Sequence, residues 1–170
     1  YNHQGIEPVR TGAASPNLVP YQVFETADRP ICLAAGNNRL FMKFAGAVGK
    51  PEWRDDPRFN TGAARSDNRD TLIPLIAEVM VTDTCDNWIA KIEAVGVPCS
   101  PVNDIPALSK TEQLKATQMM QRIPEHGFQV TSLPITLDGE RPKIRFASPK
   151  LGEHTDEILN SVASAAKAAE

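Results

Sequence analysis

The residues able to do chemistry are few and widely placed along the 170-residue chain. Asp55 and Asp56 are adjacent carboxylates in Asp56-Pro57-Arg58-Phe59, a tight-turn sequence. An acid–base dyad needs two carboxyls whose surroundings separate their pKa values; neighbours in a polar turn are more simply a solvated pair or a cap. Arg54, Arg58, Arg65 and Arg69 fall in one short stretch. Their planar forks suit a phosphate. Asp55, Asp56, Asp67 and Asp70 are interleaved with them, however, and the local charge balance favours ion pairs within the stretch. Cys32, Cys85 and Cys99 each stand beside apolar residues and read as small buried hydrophobes, too few and too spread for a disulfide framework or a zinc knuckle. His3, His126 and His154 show no ligand spacing, so no metal site is expected. The nucleophile-elbow, phosphate-loop, dinucleotide and zinc-helix patterns are absent from the sequence.

The elements that position these residues follow from hydrophobic period and punctuation. Residues 1–20, with Pro8, Gly12, Pro16 and Pro20, predict an extended linker. Tyr21–Thr26 alternates apolar and polar, and Ile31–Ala35 is a short apolar run beyond Pro30; together they predict a hairpin. Leu40, Phe41, Phe44 and Val48 recur at helical spacing after Gly36-Asn37-Asn38, with Asn37 or Asn38 as the N-cap. Leu72, Leu75, Ile76, Val79 and Met80 mark a second helix, with Pro74 near its start or kinking a longer helix from near Ala63. Thr84 caps a third, whose Trp88 face reads as core and which Gly96 and Pro98 end. Val97–Val102, with two prolines, is an edge or extended segment. Short helices over 105–109 and 111–120, strand-like pieces near Phe128–Val130 and Leu133–Thr136, a turn at Asp138-Gly139 and a final helix from near Thr155 complete the pattern. The fold class is therefore α+β: a small two-layer domain with a short antiparallel sheet, several amphipathic helices and an extended N-terminal linker.

Composition narrows the classes. With 41% hydrophobic and 23% charged residues and a net charge of −3, the chain is an ordinary globular sequence rather than a disordered one. Its mild negative charge gives no electrostatic reason to expect nucleic acid or an anionic membrane. No apolar run approaches the roughly 20 residues of a membrane span, and a cytoplasmic protein is expected. Tyr1-Asn2-His3-Gln4-Gly5 has neither an initiator Met nor the basic and apolar regions of a signal peptide, and reads as a chain entered midway.

A set of short stretches, in order over nearly the whole chain, resembles the class III CoA-transferases, the CaiB/BaiF family. They are Arg10-x-Gly12, Ser15-Pro16-Asn17, Pro20-Tyr21-x-x-Phe24-x-Thr26-x-Asp28, Gly36-Asn37, Asp56-Pro57-Arg58-Phe59, Arg65 with Asn68-Arg69, the Trp88 helix, Gly96-Val97-Pro98-x-x-Pro101-Val102, and Leu151-Gly152-Glu153-His154-Thr155 with Ile158-Leu159. Each alone is weak; their order is specific.

The resemblance implies an enzyme that moves coenzyme A between carboxylic acids. An aspartate attacks the acyl-CoA thioester to give a mixed anhydride, and CoA thiolate then gives an enzyme-bound glutamyl- or aspartyl-type thioester before transfer. In such enzymes the nucleophile and most of the CoA-binding surface lie in an N-terminal large domain, upstream of the matching stretches. No catalytic and no cofactor-binding residue is therefore carried over, and the chain alone is expected to be inactive. The resemblance implies a small domain at 21–148 and a segment at 149–170 leading back to the large domain, its tail frayed. It makes acyl-CoA and a carboxylic acid the ligands of the full-length enzyme, with no covalently bound cofactor, and implies a homodimer. Ser15, Pro16, Asn17, Asn37 and Asn38 are the expected substrate-proximal residues. Racemases of the superfamily tend to carry a Glu where Asn38 stands. A neutral amide cannot relay a proton, which favours transferase over 2-methylacyl-CoA racemase. A non-catalytic binding module is the remaining alternative.

Overall fold

Short apolar runs cut by proline and glycine make only short strands, which must share a sheet to satisfy their backbones. The computed structural model describes residues 5, 7 and 9–168. His3, Pro8 and the last two residues of the Ala-rich tail lie outside the described residues. Residues 9–20 form turns and bends without helix or strand. The elements then run β1 (Tyr21–Phe24), β2 (Ile31–Ala34), α1 (Asn38–Ala47), a 3-10 turn (Pro51–Arg54), α2 (Gly62–Asp67), α3 (Arg69–Met80), α4 (Cys85–Glu93) and β3 (Cys99–Pro101). They continue with α5 (Ile105–Ser109), α6 (Glu112–Ala116), β4 (Met120–Arg122), β5 (Gln129–Thr131) and α7 (Thr155–Ala168). The fold is α+β, with seven α-helices among the described residues.

β1 and β2 pair antiparallel from Tyr21↔Ala34 to Phe24↔Ile31, and β3 pairs antiparallel with β2 from Ile31↔Pro101 to Leu33↔Cys99. The order β1-β2-β3 places Pro101 on an edge strand, where its missing donor costs no ladder bond. β4 and β5 form a second antiparallel pair. Five helices start on a side-chain cap: Asn37, Thr61, Thr84, Asp104 and Thr111 each accept the backbone N–H three residues on. α4 ends as its sequence implies. Gly96 takes φ 71°, a left-handed conformation favouring glycine, and the N–H of Val97 returns to the carbonyl of Ile92 at 3.2 Å.

The chain divides into two compact units, Tyr1–Asn103 and Asp104–Glu170, the boundary falling inside the 21–148 span expected as one domain. In the first, Ile31 and Leu33 of the sheet share one buried cluster with Phe41 and Phe44 of α1, Leu72 and Ile76 of α3, and Trp88 and Ile92 of α4. Trp88 is core as expected, 4% exposed, with its indole N–H donating to the Met80 carbonyl at 2.7 Å. The turn between β1 and β2 is tied to α4. The Asp28 carboxylate accepts from the backbone N–H of Cys85 at 2.7 Å and from the Thr26 hydroxyl at 2.9 Å, and Arg29 pairs with Asp86. The Cys85 N–H, above all, holds the Asp28 carboxyl below its ordinary range.

The local expectations fail in two places and hold in part at a third. Of the two alternatives for Pro74, the structure comes nearer to the longer helix from near Ala63: Pro74 lies inside α3, and helix begins at Gly62 but is broken at Asn68, whose side-chain amide donates to the Ala64 carbonyl at 2.9 Å. The helix expected over 111–120 ends at Ala116, because Gln118 takes φ 51° and turns the chain; Met120–Arg122 is instead the strand that pairs with β5. Leu133–Thr136 is not a strand: Pro134 offers no donor, and the Leu133 carbonyl accepts from Arg141 instead. Of the cysteines, Cys85 is buried, while Cys32 and Cys99 are half-buried; burial pushes the Cys99 thiol up to about 11.

Candidate functional site

Two segments of the first unit, exposed at Pro16–Leu18 and at Asn37–Asn38, carry the five residues singled out by the sequence, and two arginines bind those segments from behind. The first segment, 15–20, precedes β1; the second, 36–38, joins β2 to α1. Gly36 makes their approach possible: a Cβ there would stand 2.7 Å from the Leu18 Cβ, closer than side-chain atoms pack. The Ala35 N–H donates to the Pro20 carbonyl at 2.9 Å, extending the contact along both backbones.

Arg65 of α2 is the chief tie. Flanked by the small residues Ala63 and Ala64, it is fully buried, and its guanidinium donates in four directions. Nε reaches the Val19 carbonyl at 2.6 Å, Nη1 the Phe59 carbonyl at 2.9 Å, and Nη2 both the Gly36 carbonyl at 2.8 Å and the Asn38 Oδ1 at 3.2 Å. The Phe41 ring lies 4.5 Å from its central carbon, adding a cation–π contact. Burial lowers its pKa from the ordinary value, yet guanidinium remains charged at any working pH. Fixed carbonyl dipoles therefore take the place of a counter-ion. Arg69, at the start of α3, is half-buried; its Nη2 donates to the Ser15 carbonyl at 2.5 Å and the Pro16 carbonyl at 3.1 Å.

Each expected residue has a definite place. Ser15 is half-buried, with its N–H donating to the Tyr21 carbonyl at 2.8 Å and its hydroxyl accepting from the Leu18 N–H at 3.2 Å. Pro16 and Asn17 are exposed. Asn37 is exposed and accepts the Leu40 N–H at 2.8 Å as the α1 cap. Asn38 is exposed at the first turn of α1 and receives Arg65.

The arginine stretch departs from the expected ion pairs. Arg58 alone pairs as expected, with Asp56 at 2.7 Å, and its guanidinium also lies 4.9 Å from the Phe59 ring. The Arg58 side-chain donors hold the Asp56 carboxyl below its usual range. Arg54 donates to the Met42 carbonyl at 2.8 Å, and Arg65 and Arg69 also go to backbone carbonyls. The reason lies in helix geometry: Arg65 and Asp67 are two apart and Arg69 and Asp70 one apart, spacings at which side chains diverge. That spacing was the available signal. Among the described residues no cluster of three His, Cys, Asp or Glu side chains is placed to hold a metal ion, and no helix is long and apolar enough to cross a membrane.

A family model described as CoA-transferase family III matches residues 1–155. The chain belongs to that family. A succinyl-CoA:glutarate CoA-transferase of Homo sapiens is 30% identical over 165 residues, 92% of this chain and 36% of that protein. An acetyl-CoA:oxalate CoA-transferase of Acetobacter aceti is 30% identical over 150 residues, 88% of this chain and 38% of that protein. The crystal structure of a CAIB/BAIF family protein from Brucella suis superimposes with a TM-score of 0.78 at 32% identity, covering 95% of this chain and 42% of that one. The chain thus spans 36–42% of the length of these relatives.

Proposed function

We propose that this chain supplies the small-domain part of a cytoplasmic, homodimeric enzyme that moves coenzyme A from an acyl-CoA thioester to a free carboxylic acid. The observation that carries the reading is the family match over residues 1–155. The nucleophilic aspartate lies upstream, in the share of the relatives' length that this chain does not span. Its carboxylate oxygen attacks the thioester carbonyl and CoA thiolate leaves, giving a mixed anhydride. The thiolate attacks the aspartyl carbonyl of that anhydride, releasing the donor acid and leaving an aspartyl thioester. The acceptor carboxylate then displaces the thiolate to form a second anhydride. Attack of thiolate on the acceptor's acyl carbon completes the new acyl-CoA and frees the aspartate. Splitting one exchange into activated acyl steps is the gain of covalent catalysis, and exclusion of water protects the anhydrides.

In this reading Ser15, Pro16, Asn17, Asn37 and Asn38 form the substrate-proximal edge contributed by the small domain. Asn38, a neutral amide, favours transfer over the α-proton chemistry of a racemase. The test is oxygen-18 supplied in the acceptor acid. Each turnover must leave one labelled oxygen in the aspartate carboxylate, on a peptide outside residues 1–170. Label within residues 1–170, or none on protein, would contradict the reading, and α-proton exchange without CoA transfer would replace it with the racemase.

A further inference from the structure

We infer that Arg69 is a positioning residue, which holds the Ser15–Asn17 loop ready for substrate beside the Val19 backbone that Arg65 ties to the Gly36–Asn38 turn. The inference rests on the CoA-transfer reading and deepens it. The two arginines divide the work. Arg65 is part of the core, with its four acceptors drawn from segments 15–20 and 36–38 and from Phe59. Arg69 stands outside the core, half-buried, and spends one nitrogen on two successive carbonyls, those of Ser15 and Pro16. Fixing two consecutive peptide planes leaves the loop backbone little freedom, so the positions from which the Ser15 and Asn17 side chains extend are set before any ligand arrives.

The loop is also closed on itself. Its Leu18 N–H donates to the Ser15 hydroxyl, and its Thr11 hydroxyl donates to the Ala14 carbonyl at 2.7 Å. An ordered loop spares the substrate the entropic cost of ordering it, which lowers KM, while the covalent steps at a carboxylate elsewhere keep their rate. Loss of the Arg69 donor therefore weakens binding rather than chemistry.

The experiment uses the full-length enzyme carrying this chain, with Arg69→Ala, Arg69→Lys and, as a control, Arg58→Ala, whose exposed side chain pairs with Asp56 and lies over the Phe59 ring, reaching neither segment 15–20 nor segment 36–38. Arg69→Ala raises the KM for substrate about tenfold, an ordering cost typical of a short loop, with kcat little changed. Arg69→Lys falls between, and Arg58→Ala matches the wild type. Amide exchange at Ser15 and Leu18 speeds up in Arg69→Ala, while α4 amides keep their protection, which separates loop release from global unfolding. A wild-type KM in Arg69→Ala, or unchanged exchange at Ser15 and Leu18, overturns the inference and leaves CoA transfer standing. Loss confined to kcat overturns it too. A wild-type enzyme with no CoA transfer overturns the reading and the inference with it.

Discussion

The two units of the chain are built on different terms. Every buried residue among those described lies between Val19 and Val97, so the first unit has a core of its own. From Asp104 to Ala168 no described residue is buried, and Ile105, Phe128, Leu137, Phe146, Leu151, Ile158, Leu159 and Val162 are among the large apolar side chains left exposed. The second unit is held by local devices instead: caps at Asp104 and Thr111, the β4–β5 pair, and Gln121, whose amide donates to the Pro142 carbonyl at 3.0 Å and accepts from Ile144 at 2.9 Å. The lesson is that regular hydrogen bonding can organise a segment without burial, but burial is what makes a side chain expensive to remove.

That contrast can be broken or sharpened by mutation. The largest effect is expected at Trp88. Trp88→Ala empties a core site and orphans the Met80 carbonyl, costing about 3–5 kcal/mol in denaturant unfolding of the first unit; a cost near zero would dissolve the distinction. Next comes Arg65→Met, which keeps the volume but strips the donors from three carbonyls, at about 3 kcal/mol by the same measurement. Arg65→Lys recovers part of this, since one ammonium cannot reach acceptors arranged for a planar fork. In the second unit Ile158→Ser, at a residue 58% exposed, changes stability by less than about 0.5 kcal/mol. A loss like that of Trp88→Ala would show that α7 is buried in solution.

The smallest effect is electrostatic. Lys91, followed by Asn87 and the Thr84 N–H, holds the Asp83 carboxyl at about 2, below the 3.8 of a free carboxyl. A depressed folded pKa contributes stability that is complete above the unfolded value and fades as pH falls from about 4 toward 2. Asp83→Asn should flatten that part of the acid limb in unfolding curves taken across pH, by a modest amount because the group is solvated. An unchanged acid limb would show that the pair is already screened.

Much of the first unit was legible because its signals are local. Thr84 and Gly96 bracket α4 unambiguously, and Pro30 separates two apolar runs that pair as a hairpin. The second unit was harder to read. Met120–Arg122 carries no strand period, and only the left-handed Gln118 reveals that the helix stops early. The arginines illustrate the limit for the site. Charge balance along the sequence suggested ion pairs, but the acceptors of Arg65 are carbonyls 46, 29 and 6 residues away, set by the tertiary fold and by a glycine small enough to let two loops touch. Thr26 and Asp28, which helped mark the family resemblance, prove to tie a turn to a helix end.

The measurement that bears most directly on the account is CoA transfer from an acyl-CoA to a free acid, run side by side with the purified chain Tyr1–Glu170 and with the same chain joined to the upstream catalytic domain that the proposal requires. The account predicts new acyl-CoA from the joined enzyme and none from the chain alone. Sustained turnover by the pure chain would contradict it, by placing the covalent step among these 170 residues.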